Sequence, residues 1–240
     1  MLIVILRRPG HPWPVLLAAR RDELAASTLL PPARHWPDRP EVIATFDPRT
    51  EGSWLGLNDH GVVAALVERA ETLHAGSGQR SRGELVLEAL DHAEASEAAG
   101  ALADLHPDAY RPFNLLVADP RAAYWVRHGD PGPIRVQPIP PGWHLLAETE
   151  LDDPAHPWIA DCLSWFKAAA VPDPEQGDWS GWREVLARLD GDGVRSSALI
   201  ALPAFPGFNS RPIWHQAEGG SDRDARASAL KHSVFRVVDG

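Results

Sequence analysis

Residues 1–23 read MLIVILRRPGHPWPVLLAARRDE, and the fold is decided here. Leu2–Leu6 is a continuous apolar run rich in β-branched residues, the pattern of a strand covered on both faces. Pro9-Gly10-His11-Pro12 is a turn. Val15–Ala19 is a second apolar run and leads into Arg20-Arg21-Asp22-Glu23. The two runs predict a β-hairpin.

Working outward, Leu30–Pro40 is proline-rich and is expected to be irregular. Short strands are predicted at Val42–Phe46, Ser53–Leu57 and Val62–Val67, with a tight turn at Asn58-Asp59-His60-Gly61. Ser81 reads as a helix N-cap, with Glu84 completing a capping box and Leu85, Val86, Ala89 and Leu90 forming an apolar face. An alanine-rich helix is expected over Glu94–Leu105. Strands resume at Phe113–Ala118, Ala122–Arg127, Ile134–Gln137 and Trp143–Leu151. Asp153-Pro154 marks a helix start, and Trp158, Ile159, Cys162, Leu163 and Phe166 share one face. A further helix begins near Ser180, with Trp182, Val185, Leu186 and Leu189 inward and Gly191 as a stop. Ser196–Leu202, Ile213–Gln216 and Ser233–Val238 are the closing strands. Helices grouped between runs of mainly antiparallel strands predict an α+β protein, taken as one domain over 1–240. Regular βαβ alternation is absent, which argues against a doubly wound nucleotide fold.

Charge and motifs exclude several functions. The net charge of −10 disfavours nucleic acid and anionic lipid as partners. Cys162 is the single cysteine, so an internal disulfide, a cysteine zinc site and an iron–sulfur cluster are excluded. The Leu2–Leu6 run is too short for a signal peptide or a membrane helix, and a cytoplasmic protein without membrane insertion is expected. No G-x-G-x-x-G follows a strand, and Gly76-Ser77-Gly78 lacks the third glycine. No phosphate loop, G-x-S-x-G elbow or H-E-x-x-H occurs. Asp190-Gly191-Asp192-Gly193 reads as a turn rather than a calcium loop, and Asp153 as a helix cap rather than part of a metal site with Asp152 and His156. Neither a metal nor a bound cofactor is expected.

Four stretches, taken in order, resemble the NRDE (transport and Golgi organisation 2-like) family. That family is named for Asn-Arg-Asp-Glu after its second strand. Here Leu17–Glu23 reads LAARRDE, with Arg20 in place of the asparagine. Gly52–Asn58, GSWLGLN, is similar to G-T-W-L-G-V-N and continues through Gly61–Leu66. Ser81–Val86 is SRGELV, as in the family, and Phe113–Asp119, FNLLVAD, resembles F-N-L-L-V-x-D. Echoes follow at Trp143–Trp158 and at Gly193-Val194-Arg195-Ser196-Ser197. The resemblance implies a four-layer αββα sandwich of the N-terminal nucleophile hydrolase type. It also implies a cysteine directly after the initiator methionine. Once methionine is removed, such a cysteine has an α-amine of pKa ~7.7–8.0 to act as its own base.

The sequence departs from this pattern at three places. Leu2 stands where the cysteine belongs, carries no nucleophilic atom, and is bulky enough to keep Met1 in place. Val67-Glu68 replaces the family's Thr-Asn, and Ala147-Glu148 replaces its Ser-Asn. An ionised carboxylate accepts hydrogen bonds and cannot stabilise an oxyanion. No catalytic residue is therefore assigned. Arg21, Asp22, Arg82 and Arg195 remain to line the old cleft and bind an anion, with Trp54, Glu68, Asn114 and Glu148 completing the candidate ligand-binding set. Structural roles compete: Arg21 pairing with Asp22, Glu68 or Glu148; Trp54 in the core; Asn114 fixing a strand end. The leading function is a non-catalytic protein that binds or moves a small ligand, and the resemblance implies haem as its sharpest version. No axial ligand stands out, although His60 and His144 lie near motif segments. The alternatives are a hydrolase of non-peptide C–N bonds using Glu68 and Glu148 as a carboxylate pair, and a structural or partner-binding module. The sequence leaves the oligomeric state open.

Overall fold

A computed structural model describes residues 1–23, 29–69, 79–129, 132–189, 194–206, 210–219 and 236–237. One antiparallel sheet is built from β1 (Leu2–Arg7), β2 (Val15–Glu23), β10 (Gly142–Leu146), β11 (Val194–Leu202), β12 (Ile213–Gly219) and β13 (Arg236–Val237). Its strand order is β10-β1-β2-β11-β12-β13. The second is a meander of β3 (Leu30–Ala33), β4 (Val42–Phe46), β5 (Leu55–Asn58), β6 (Val63–Glu68), β7 (Phe113–Ala118), β8 (Ala123–His128) and β9 (Arg135–Pro138), in that order. Helices α1 (Gly83–Leu90) and α2 (Ala95–Ala103) cover the second sheet, while α3 (Pro157–Ala168) and α4 (Ser180–Arg188) cover the first. This is an αββα sandwich.

Period-two alternation divides each central strand between two apolar layers. In β1, Ile3 and Ile5 face the opposite sheet, whereas Leu2, Val4 and Leu6 lie under α3 and α4. In β2, Val15, Leu17 and Ala19 face inward between the sheets, and Leu16 and Ala18 face the helices. In β6, Val63, Ala65 and Val67 join the inter-sheet layer, and Ala64 and Leu66 pack on α1 and α2. Because both faces of these strands are covered, they read as unbroken apolar runs even though the sheets are antiparallel.

The short motifs hold distant segments together. Gly52 and Gly83 touch: a Cβ added at Gly52 would lie 2.8 Å from the Gly83 Cα, and Ser53 N donates to Gly83 O at 3.1 Å. The start of α1 thereby seats directly on the entry to β5. Asn58 is fully buried. Its Nδ2 donates to Leu90 O (2.9 Å) and His92 O (2.8 Å), satisfying carbonyls at the end of α1, while its Oδ1 accepts from His60 N and Val62 N. Asp119 acts likewise at the start of α2, accepting from Ala95 N at 2.8 Å and closing its own turn through Arg121 N and Ala122 N.

Several sequence expectations need correction. The proline-rich segment contributes β3, an edge strand, where a missing backbone donor is tolerated. No capping box forms at α1. Ser81 Oγ accepts from Gly83 N at 3.2 Å, and Glu84 reaches back to Arg80 at 2.6 Å instead. Helix α3 starts at Pro157, and Asp153 instead closes a turn on Ala155 N. Trp158, expected inward, is 44% exposed. The segments Gly76–Gly78 and Asp190–Gly193 lie outside the described residues.

Two outcomes follow. Gly52→Ala forces a Cβ onto the Gly83 backbone and is expected to destabilise the protein by ~1–3 kcal/mol, read as a lowered urea midpoint. Burial lowers the His215 imidazole from its ordinary 6.5 to about 4, with Arg183 adding to the effect. Between these values the unfolded chain binds the extra proton, so stability is full above pH 6.5 and falls towards pH 4. Denaturation midpoints measured across that window should decline in the native protein and decline less in His215→Gln.

Candidate functional site at the open end of the sandwich

The beginning of β1, the end of β2, the end of β6, the beginning of β7 and the segment after β10 meet at one end of the sandwich. Side chains crossing between the sheets fix this juxtaposition. Asn114, on β7, donates from Nδ2 to Ala147 O (2.8 Å) and Thr149 O (2.6 Å) beyond β10. Its Oδ1 accepts from Arg69 at 3.0 Å and from Trp125 Nε1 at 3.1 Å. Arg69 in turn pairs with Glu150 at 3.0 Å, and Arg127 pairs with the same carboxylate. Asn114 thus has both N–H groups committed to backbone carbonyls.

Beside this bridge stands a cluster of arginines. Arg82, just before α1, is 5% exposed; it pairs with Glu68 at 2.8 Å and donates to Pro112 O at 2.9 Å. Burial lowers its pKa, Glu68 opposes that effect, and the neighbouring charges of Arg111 and Arg21 lower it further. Arg21 and Arg111 are partly buried, and among the described residues neither makes a hydrogen bond or an ion pair. Arg82 thus has one carboxylate as its ion-pair partner and two further guanidinium charges as neighbours, a local positive excess in a chain of net charge −10. Arg111 escaped the sequence reading. The available signal was its place two residues before Phe113 of the FNLLVAD strand, whose first residues lie at this end.

The first strand presents a different side chain from the one expected. Leu2 is 2% exposed and packs under α3 and α4, away from the inter-sheet space. It is Met1 that packs against the inter-sheet core. The Met1 ammonium lies 3.3 Å from Asp22 Oδ2, and Arg20 holds the other Asp22 oxygen at 2.9 Å. Arg20 also donates to Leu189 O at 2.5 Å. The partner of Asp22 is thus Arg20 and not Arg21. Arg195 is opposite Asp22 in the β11–β2 register, and its side chain lies outside the described residues. Glu148 is exposed two residues past β10 and is not hydrogen-bonded to Glu68, which is held by Arg82.

Trp54 is 1% exposed within the inter-sheet core, and its indole N–H has no hydrogen-bond partner among the described residues. His60 lies in the turn between β5 and β6, at the opposite end of the sheet. Both ring nitrogens of His144 are engaged, by Asp152 at 2.6 Å and by Pro140 O at 3.1 Å. Among the described residues no group of three or more His, Cys, Asp or Glu side chains is placed to hold a metal ion. No helix is long and apolar enough to cross a membrane among those residues.

Cys162 is fully buried under the first sheet, and desolvation pushes its thiol up to about 12, against a weaker opposing effect of Arg20. The native protein is expected to resist thiol-disulfide reagents at pH 8 and to react only on unfolding. Rapid stoichiometric labelling of the folded protein would show that the thiolate is accessible.

The comparisons bear on the fold and the family. A solved structure of a Caenorhabditis elegans N-acylethanolamine-hydrolyzing acid amidase ortholog superimposes with a TM-score of 0.61 at 12% identity, covering 86% of this chain and 94% of its own. Two variant structures of a conjugated bile acid hydrolase from Clostridium perfringens give TM-scores of 0.44 and 0.43, at 10% and 11% identity. Each covers 69% of this chain and 57% of its own. No curated protein matches in sequence. The likeness to the amidase ortholog shows the fold, that of the N-terminal nucleophile hydrolases. The model of the family Transport and Golgi organisation 2 matches residues 1–172, and the chain belongs to that family.

Proposed function

We propose that this chain binds the carboxylate end of a small amphipathic molecule at the open end of its sandwich and does not hydrolyse it. The observation that carries this reading is that Arg82, paired with Glu68, has the charges of Arg21 and Arg111 for neighbours. Arg82 is a fixed, buried positive charge. Arg21 and Arg111 have uncommitted guanidinium forks, whose planar geometry suits a carboxylate. The non-catalytic half rests on the first strand, where Met1 and Leu2–Leu6 offer no nucleophilic side chain. It is supported by Cys162, whose thiol is buried, and by Asn114, whose N–H groups are committed and cannot also serve an oxyanion.

Haem is the specific ligand that the family resemblance supplies, and its two propionates fit an arginine cluster. The positions of His60 and His144 give no support to iron ligation, so the reading rests on the carboxylates. Hydrolysis by Glu68 and Glu148 is less well supported, because Glu68 is committed to Arg82 and no hydrogen bond joins it to Glu148.

Haemin titration followed by Soret absorbance tests the proposal. Saturable binding of one equivalent is expected, with haemin dimethyl ester binding far more weakly. Charge-assisted contacts contribute about 1.5–3 kcal/mol each, so the double variant Arg21→Gln/Arg111→Gln should bind roughly a hundredfold more weakly or worse. Absence of saturation, or equal binding of the ester, overturns the carboxylate reading. Turnover of simple amides by the native protein overturns the non-catalytic one.

A further inference from the structure

A cavity of about 490 Å³ opens on the outer side of the seven-stranded sheet, where the segment between β3 and β4 faces α1. Neither Arg82 nor Glu68 lines it. One wall is a trio of aromatic rings. His35 stacks on Phe46 with centroids 5.2 Å apart, and Trp36 meets both edge-on, at 5.7 Å from His35 and 5.4 Å from Phe46. The rings are held in place, since His35 Nε2 lies 2.8 Å from Pro31 O and Trp36 Nε1 donates to Glu51 O at 3.2 Å. The facing wall is the first turns of α1, with Glu84, Leu87 and Glu88.

Charge decides what such a cavity accepts. Two arginines line it, and both are committed. Arg39 makes a two-pronged pair with Asp91 at 2.8 and 3.1 Å and also pairs with Asp38, while Arg80 pairs with Glu84 at 2.6 Å. Glu51 and Glu88 also line the cavity, and among the described residues neither makes an ion pair. Two guanidinium groups and three carboxylates therefore line the cavity, and Arg39 is further matched by Asp91 and Asp38 outside the lining. The raised pKa of Arg39, caused first by its hydrogen bond to Asp91 and also by the charges of Asp91, Asp38 and Glu88, reports the same negative surroundings. A wall of aromatic rings opposite uncommitted carboxylates suits a poorly hydrated cation, whose charge the carboxylates balance and whose apolar groups the rings contact.

We propose that the cavity between the His35–Trp36–Phe46 rings and α1 is a second ligand site, and that it takes an organic cation of the alkylammonium class. The site is independent of the arginine cluster, so each reading stands or fails separately.

Isothermal titration of the full chain with choline tests it, with 3,3-dimethylbutanol as the uncharged control of the same shape. Saturable choline binding on the order of millimolar is expected, with the alcohol at least about tenfold weaker. Glu88→Gln should weaken choline several-fold, and Trp36→Ala should abolish binding. Because Trp36→Ala removes packing, Trp36→Phe is measured beside it and should retain part of the affinity. Arg21→Gln/Arg111→Gln should bind choline as the native protein does. The proposal is overturned if choline gives no saturable heat, if the alcohol binds equally, if folded Glu88→Gln and Trp36 variants bind unchanged, or if the cavity takes benzoate in preference to choline.

Discussion

Asn114 sits between the two sheets with every part of its amide in use, joining β7 to the backbone beyond β10 and receiving Arg69 and Trp125 on its oxygen. A buried amide satisfied on both sides acts as a geometric tie, because breaking any one contact leaves a polar group without a partner away from water. The tie sets how closely the sheets approach at their open end. It therefore sets where Arg82, on the α1 side, stands relative to Arg21, on the β2 side. The arginine cluster depends on this spacing more than on any contact among its own members, since like charges do not assemble themselves.

The second determinant is the alternation in β1. A strand offers successive side chains to opposite faces, so one of Met1 and Leu2 must face the inter-sheet space and the other the helices. Leu2 goes under α3 and α4 with Val4 and Leu6, and Met1 goes inward with Ile3 and Ile5. The inter-sheet space at the start of β1 is thus filled by a flexible apolar side chain, that of Met1. The neighbouring polar groups are occupied with one another, as Arg20 with Asp22 and Arg82 with Glu68 show.

Much of the fold was legible because two-sided burial leaves a plain mark. Leu2–Leu6, Val15–Ala19 and Phe113–Ala118 could hardly be anything but covered strands. The motif residues were equally visible as a pattern, but their purpose was not. Gly52 meets Gly83, and Asn58 holds the end of α1, only after some thirty residues of chain have looped back. β3 was missed because local reading treats proline as a breaker, whereas an edge strand needs fewer donors. The site was half legible. Arg21 and Arg82 stood in motifs, but Arg111 did not, and the expected partner of Asp22 was one residue off. Strand parity can be counted from sequence, but which face looks at the other sheet is settled by packing alone.

The central claim is that a carboxylate is received at the arginine end. A crystal structure with protoporphyrin bound examines it directly. The account requires a propionate within hydrogen-bond distance of Arg21 and Arg111, beside Arg82 with its Glu68 pair intact. A porphyrin seated elsewhere, or with both propionates in solvent, would contradict it.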